Sequence, residues 1–147
     1  MTNRFFIAII FFSCGFAKAE VQSQTTCYFN VPRDTSSKQI QFALRTYEDE
    51  DLKKEIGAFV QYGGSKEIIP LVFNKYTNTD TDSPDLGNYE ISRIEISKNK
   101  VTGEYIFVQT GAGNTQGKYV KYINYKTGKS MTFMAIGDDD PSCKINN

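Results

Sequence analysis

The chain has 147 residues, enough for one domain with one modest core, at 39% apolar and 14% aromatic content. Its 17 basic and 17 acidic residues balance, which argues against a nucleic-acid binder, because such a protein must present a basic face to phosphates. Histidine is absent from the sequence. That removes the commonest general base, every Ser-His or Cys-His nucleophile and the usual imidazole metal ligand.

Met1 to Arg4 is a short basic segment, Phe5 to Phe12 is an unbroken apolar run, and Ala17-Lys18-Ala19 has the form of an export cleavage site. A membrane-spanning helix needs about 20 apolar residues, so residues 1–19 are expected to be a removed signal peptide, with a mature domain over 20–147. A lipoprotein signal would use Cys14, but Phe11-Phe12-Ser13 lacks the aliphatic and small residues that such a site prefers. Cleavage removes Arg4 and Lys18, leaving 15 basic and 17 acidic residues, and places the protein in the periplasm or outside the cell. Cys27 and Cys143 then remain, and in an oxidising compartment they are expected to form one structural disulfide. Two cysteines without histidine make a poor zinc site.

Residues 20–25 are polar and read as an unpaired lead-in. A first strand is expected over 27–31, ended by Pro32 and the turn-forming run that follows. Residues 38–47 alternate, with Ile40, Phe42 and Leu44 on one parity, as a strand with one wet face does. Glu48-Asp49-Glu50-Asp51 is expected to break it as a solvated turn. A short helical turn over 52–56 is an option before a third strand, 56–62. A fourth strand, 67–73, contains Pro70, which suggests a sheet edge or a bulge.

Residues 74–88 are the longest segment without periodicity. Asn78, Asp80 and Asp82 put oxygen atoms on alternate residues, as calcium loops do. A calcium loop of the helix–loop–helix type also needs glycine at position six and glutamate at twelve, where this chain has Ser83 and Tyr89. A plain surface loop is the competing reading. Strands are then expected over 89–97, with Ile94 and Ile96 sharing a face, and over 101–109, with Tyr105 and Phe107 sharing one. Two more follow over 118–125 and 129–136, joined at Thr127-Gly128. The sum is about eight short strands and no long helix. The fold class is all-β, a small antiparallel barrel or a sandwich.

Between the sixth and seventh of these strands runs Thr110-Gly111-Ala112-Gly113-Asn114-Thr115-Gln116-Gly117-Lys118. It is not a phosphate loop: Gly111 to Gly117 is one residue too long, Tyr119 replaces the hydroxyl residue, and a strand follows where a helix is needed. Small residues on a rigid β-scaffold, followed by Lys118 and Tyr119, have the composition of a protruding contact loop. Here the chain resembles the small periplasmic lysozyme inhibitors of Gram-negative bacteria, in Thr110-Gly111-Ala112-Gly113, Tyr119 and the later Lys126-Thr127-Gly128. It departs from that pattern in having Thr for the first Ser, a longer loop and no Trp. The resemblance implies that the loop enters a hydrolase cleft, and it extends equally to periplasmic immunity proteins, which neutralise delivered toxins.

The expected function is therefore inhibition of another protein, with a cell-wall-degrading hydrolase as the expected target. Thr110, Gly111, Ala112, Gly113, Lys118 and Tyr119 would make the contact, with neither catalysis nor a cofactor. The alternative is a barrel that binds a small molecule or a sugar, lined by some of the nine tyrosines. An open interior would favour the second reading and a filled one the first.

Overall fold

A computed structural model describes residues 20–32, 38–79, 87–111 and 117–136. They form β1 (Val21–Asn30), β2 (Gln41–Asp49), β3 (Lys54–Tyr62), β4 (Ile68–Asn78), β5 (Tyr89–Ser97), β6 (Lys100–Thr110), β7 (Gly117–Asn124) and β8 (Ser130–Ile136). Each strand pairs antiparallel with the next. β8 returns to β1, with Cys27 opposite Ile136 and Asn30 opposite Phe133, so the sheet closes. Of the two architectures open to the sequence, the chain adopts the barrel. Closure pairs the strand edges that a sandwich would leave open.

Alternate side chains face the interior. Tyr28, Phe42, Leu44, Ala58, Val60, Leu71, Tyr105, Phe107, Val120 and Phe133 form one buried cluster drawn from seven of the strands. Phe42 is its hub, meeting Tyr28, Tyr62, Tyr105 and Phe133 at ring-centre distances of 5.2, 5.6, 5.7 and 4.9 Å. Each such aromatic pair adds about 0.5–1.5 kcal/mol beyond its burial. On the outside, Arg45, Glu104 and Lys121 hold mid-strand positions whose chain neighbours face inward. No helix among the described residues is long and apolar enough to cross a membrane.

Several local expectations need correction. Residues 21–25 are not an unpaired lead-in: Val21 to Thr25 pair with Asp49 to Arg45. They look unstructured in sequence because the interior at this end is wet, so no apolar alternation is required. The acidic run does not break β2 at once. The strand continues to Asp49, whose carboxylate then accepts hydrogen bonds from the Asp51 and Leu52 amides, both at 2.9 Å. The next residues make a turn, not a helical one, with Lys53 at a φ of 49°. Pro70 marks no sheet edge, since it lies opposite Phe59 in a closed sheet. The bulge comes later, between Phe73 and Lys75. β4 also runs on to Asn78, well into the segment read as loop.

Two turns follow the sequence closely. Lys98 and Asn99 both take positive φ (49° and 59°), joining β5 to β6 in a two-residue turn. Gly128, at φ 68°, closes the β7–β8 connection, its amide donating to the Asn124 carbonyl at 2.8 Å. Cys27 is buried on the outward face of β1, opposite Ala43. Cys143 lies outside the described residues, as do residues 1–19.

Candidate functional site

The two ends of the barrel interior differ. Toward the β5–β6 turn the space is filled by rings and a closed hydrogen-bond network. The Tyr62 and Tyr105 hydroxyls lie 2.7 Å apart, and Thr102 donates to Glu95 Oε1 at 2.6 Å. The Glu95 carboxylate is 7% exposed, and the nearby Tyr122 hydroxyl accepts from Asn124 Nδ2 at 3.4 Å. Burial pushes the Tyr62, Tyr105 and Tyr122 hydroxyls above the ordinary tyrosine range, Tyr122 to about 12.

Toward the opposite end the barrel opens into a cup of about 310 Å³. Its floor is Tyr28, Leu44, Ile91 and Phe107, the upper surface of the core. Its walls are polar because the inward positions change character one turn of the pleat above that floor. β1 supplies Gln24 and Thr26, β2 supplies Thr46 and Glu48, and β3 supplies Glu55. From the other side come Tyr89 and Arg93 of β5, Gln109 of β6 and Lys118 of β7.

Arg93 is the buried charge of the cup, at 3% exposure. Its Nε donates to Glu55 Oε1 at 3.0 Å and its Nη2 donates to Glu55 Oε2. The guanidinium carbon sits 4.7 Å from the centre of the Phe107 ring. A buried guanidinium requires this kind of fork-to-fork pairing, and the ring face adds a cation–π attraction. Tyr89 donates to Gln109 Oε1 at 2.9 Å and stacks on Tyr76 at 5.7 Å. Burial raises the Tyr89 hydroxyl as well. Glu48 and Lys118 also line the cup, and neither has an ion-pair partner among the described residues.

The contact loop expected from sequence borders this same end. Thr110 is exposed at the end of β6, opposite Gly117. Gly111, at φ 80°, donates its amide hydrogen to Asn88 Oδ1 at 2.5 Å, tying this connection to the one between β4 and β5. Ala112 and Gly113 lie outside the described residues. Lys118 and Tyr119 diverge. Lys118 lines the cup, whereas Tyr119 takes the outward face, opposite Val108 and Met134. Of the calcium candidates, Asn78 ends β4, and Asp80 and Asp82 lie outside the described residues. No cluster of three metal-ligating side chains occurs among the described residues.

Sequence reasoning missed Arg93, Glu55, Glu48, Gln24 and Thr26. In Tyr89-Glu-Ile-Ser-Arg-Ile-Glu-Ile-Ser97 the isoleucines at 94 and 96 invite an inward reading. The charged parity, Arg93 and Glu95, is the one that faces in. The usable signal was that Ile91 shares parity with Arg93, so both faces of this strand carry apolar residues. Comparison with protein-family models, curated proteins and solved structures finds no match to the chain.

Proposed function

We propose that the mature chain is an exported, non-catalytic β-barrel that binds a small ligand in the cup beside Glu48, Gln109 and Lys118. The observation that carries this reading is the contrast between the two ends of one interior. An eight-stranded barrel is just narrow enough for side chains to fill, or wide enough to hold one small ligand. Here rings fill one end, and the other is left polar and open at about 310 Å³, the lower end of the range for ligand pockets. Glu48 and Glu55 lie opposite each other on β2 and β3, a register open to a carboxylate pair for hydrolysis, but Arg93 occupies both Glu55 oxygens. That favours binding over acid–base work.

The test is a thermal-shift screen of residues 20–147 against a chemically diverse set of small polar and amphipathic compounds. Hits are expected to lose affinity in Gln24→Trp, which obstructs the mouth from an exposed wall position. A full screen without any shift would sink the reading.

A second reading keeps the expected protein inhibitor. It is favoured by the Gly111–Asn88 hydrogen bond, which ties the residue after β6 to the residue before β5. Of the two anchors expected from sequence, Lys118 is turned into the cup, and Tyr119, half-buried, stays on the outer face. Capture of a peptidoglycan hydrolase with loss of its activity, relieved by Tyr119→Ala, would support this reading. A Cys27–Cys143 disulfide belongs to either proposal.

A further inference from the structure

Resting on the reading of the cup as a ligand site, we infer that its ligand is a small zwitterion with an apolar side chain, a free amino acid or a dipeptide. The ammonium would sit at Glu48 and the carboxylate at Lys118. The inference starts from the charges that line the cup. Arg93 and Glu55 neutralise each other in a two-bond pair, so neither offers a free charge to a ligand. Glu48 and Lys118 are left, of opposite sign and without ion partners among the described residues.

They also do not reach each other along the wall. Glu48 is on β2 and Lys118 on β7, with β1 and β8 between them. At about 4.8 Å per strand step, roughly 14 Å of wall separates the two strands. A ligand bearing one charge of each sign satisfies both. A simple anion at Lys118 would leave the exposed Glu48 carboxylate without a counter-charge, and a simple cation at Glu48 would leave the half-buried Lys118 ammonium without one. The Gln24 amide lies on β1, beside Glu48's strand, and the Gln109 amide on β6, beside Lys118's strand; both can donate to a carboxylate.

Below the charges the floor is apolar. Tyr28, Leu44, Ile91 and Phe107 suit an aliphatic or aromatic side chain pointing down, and the space admits a compound of one or two residues. The neutralised guanidinium over Phe107 adds a flat cover without a free charge.

The experiment is isothermal titration of residues 20–147 with phenylalanine and Ala-Phe, beside N-acetylphenylalanine, phenylalaninamide and N-acetylphenylalaninamide. The zwitterions are expected to bind, and blocking either terminus to weaken binding about tenfold or more, the worth of one charge-assisted contact. Glu48→Gln should erase the preference for a free amine, and Lys118→Gln the preference for a free carboxylate. Equal binding of the doubly blocked compound would overturn the charge assignment while leaving the cup a ligand site. If none of the five binds but another compound does, and Gln24→Trp blocks it, the zwitterion is wrong and the cup reading stands. If nothing binds, both fall.

Discussion

Arg93 illustrates how much one side chain can decide inside a small barrel. Taking a guanidinium out of water is tolerable only if its charge and its hydrogens are met, and Glu55 and Phe107 meet them together. Replacing Arg93 by Met should therefore cost about 3 kcal/mol, the low end for breaking a buried pair, because Glu55 keeps 22% of its side-chain exposure and can recover some water. Arg93→Met combined with Glu55→Gln should recover much of that loss, and urea unfolding of the two variants checks it. The tyrosines make the second prediction at this scale. Burial raises Tyr62, Tyr105 and Tyr122, the last from 10.0 to about 12. A hydroxyl whose folded value exceeds its unfolded value holds its proton more tightly in the barrel. Its contribution is thus complete below the unfolded value of 10.0 and disappears as pH rises through the folded value, about 12 for Tyr122. Stability should fall over that window, less steeply in Tyr122→Phe. Tyrosinate absorbance of the folded protein should stop short of the full nine residues.

At the scale of the element, Gly103 shows why one strand accepts its neighbour. A Cβ there would lie 2.7 and 2.8 Å from Tyr122 side-chain atoms and 2.8 Å from the Ile123 carbonyl oxygen. The Tyr122 side chain comes in over the glycine backbone on its way to Glu95. Gly103→Ala should cost about 1–3 kcal/mol by overpacking and lower the Tyr122 ionisation toward its ordinary value. Gly57, where a Cβ would meet nothing within 4 Å, is the control: its alanine variant should melt close to the parent. The elements also explain what could be read from sequence. β6 was legible because Tyr105 and Phe107 share a parity and face a dry core. The first half of β1 was not, because its inward Gln24 and Thr26 face the wet cup. β5 was legible as a strand but not in its orientation, since its outward face also carries isoleucines.

At the scale of the molecule, closure of β8 onto β1 brings the last described strand against Cys27's own strand, with Cys27 opposite Ile136. The expected bridge to Cys143 would span nearly the whole domain. In residues 20–147, alkylation before reduction should label neither cysteine, and after reduction both. Cys27→Ser should lower stability by about 2–5 kcal/mol, as loss of a native disulfide does in a small exported domain. Two thiols labelled without reduction would refute the bridge. Closure also gathers the three sequence features that stood out as exceptional. The acidic run reaches the cup as Glu48, the glycine-rich loop as Lys118, and the long Asn-rich connection meets the loop at Asn88. Nothing in their spacing places them together. The alternating strands between them do.

The sequence by itself determined that the chain is all-β, where most of its strands run, and which side chains share a face of each strand. These are consequences of a period of two and of turn residues, both local properties. It left open barrel against sandwich, and it could not say which parity of β5 faces inward, because apolar residues on both faces satisfy either choice. Only the closed sheet decided these. Once eight strands share one interior, the space at each level must be either filled or wet. Rings fill one end, while Arg93, Glu48 and Lys118 are left at the other around a cup that no local pattern encodes.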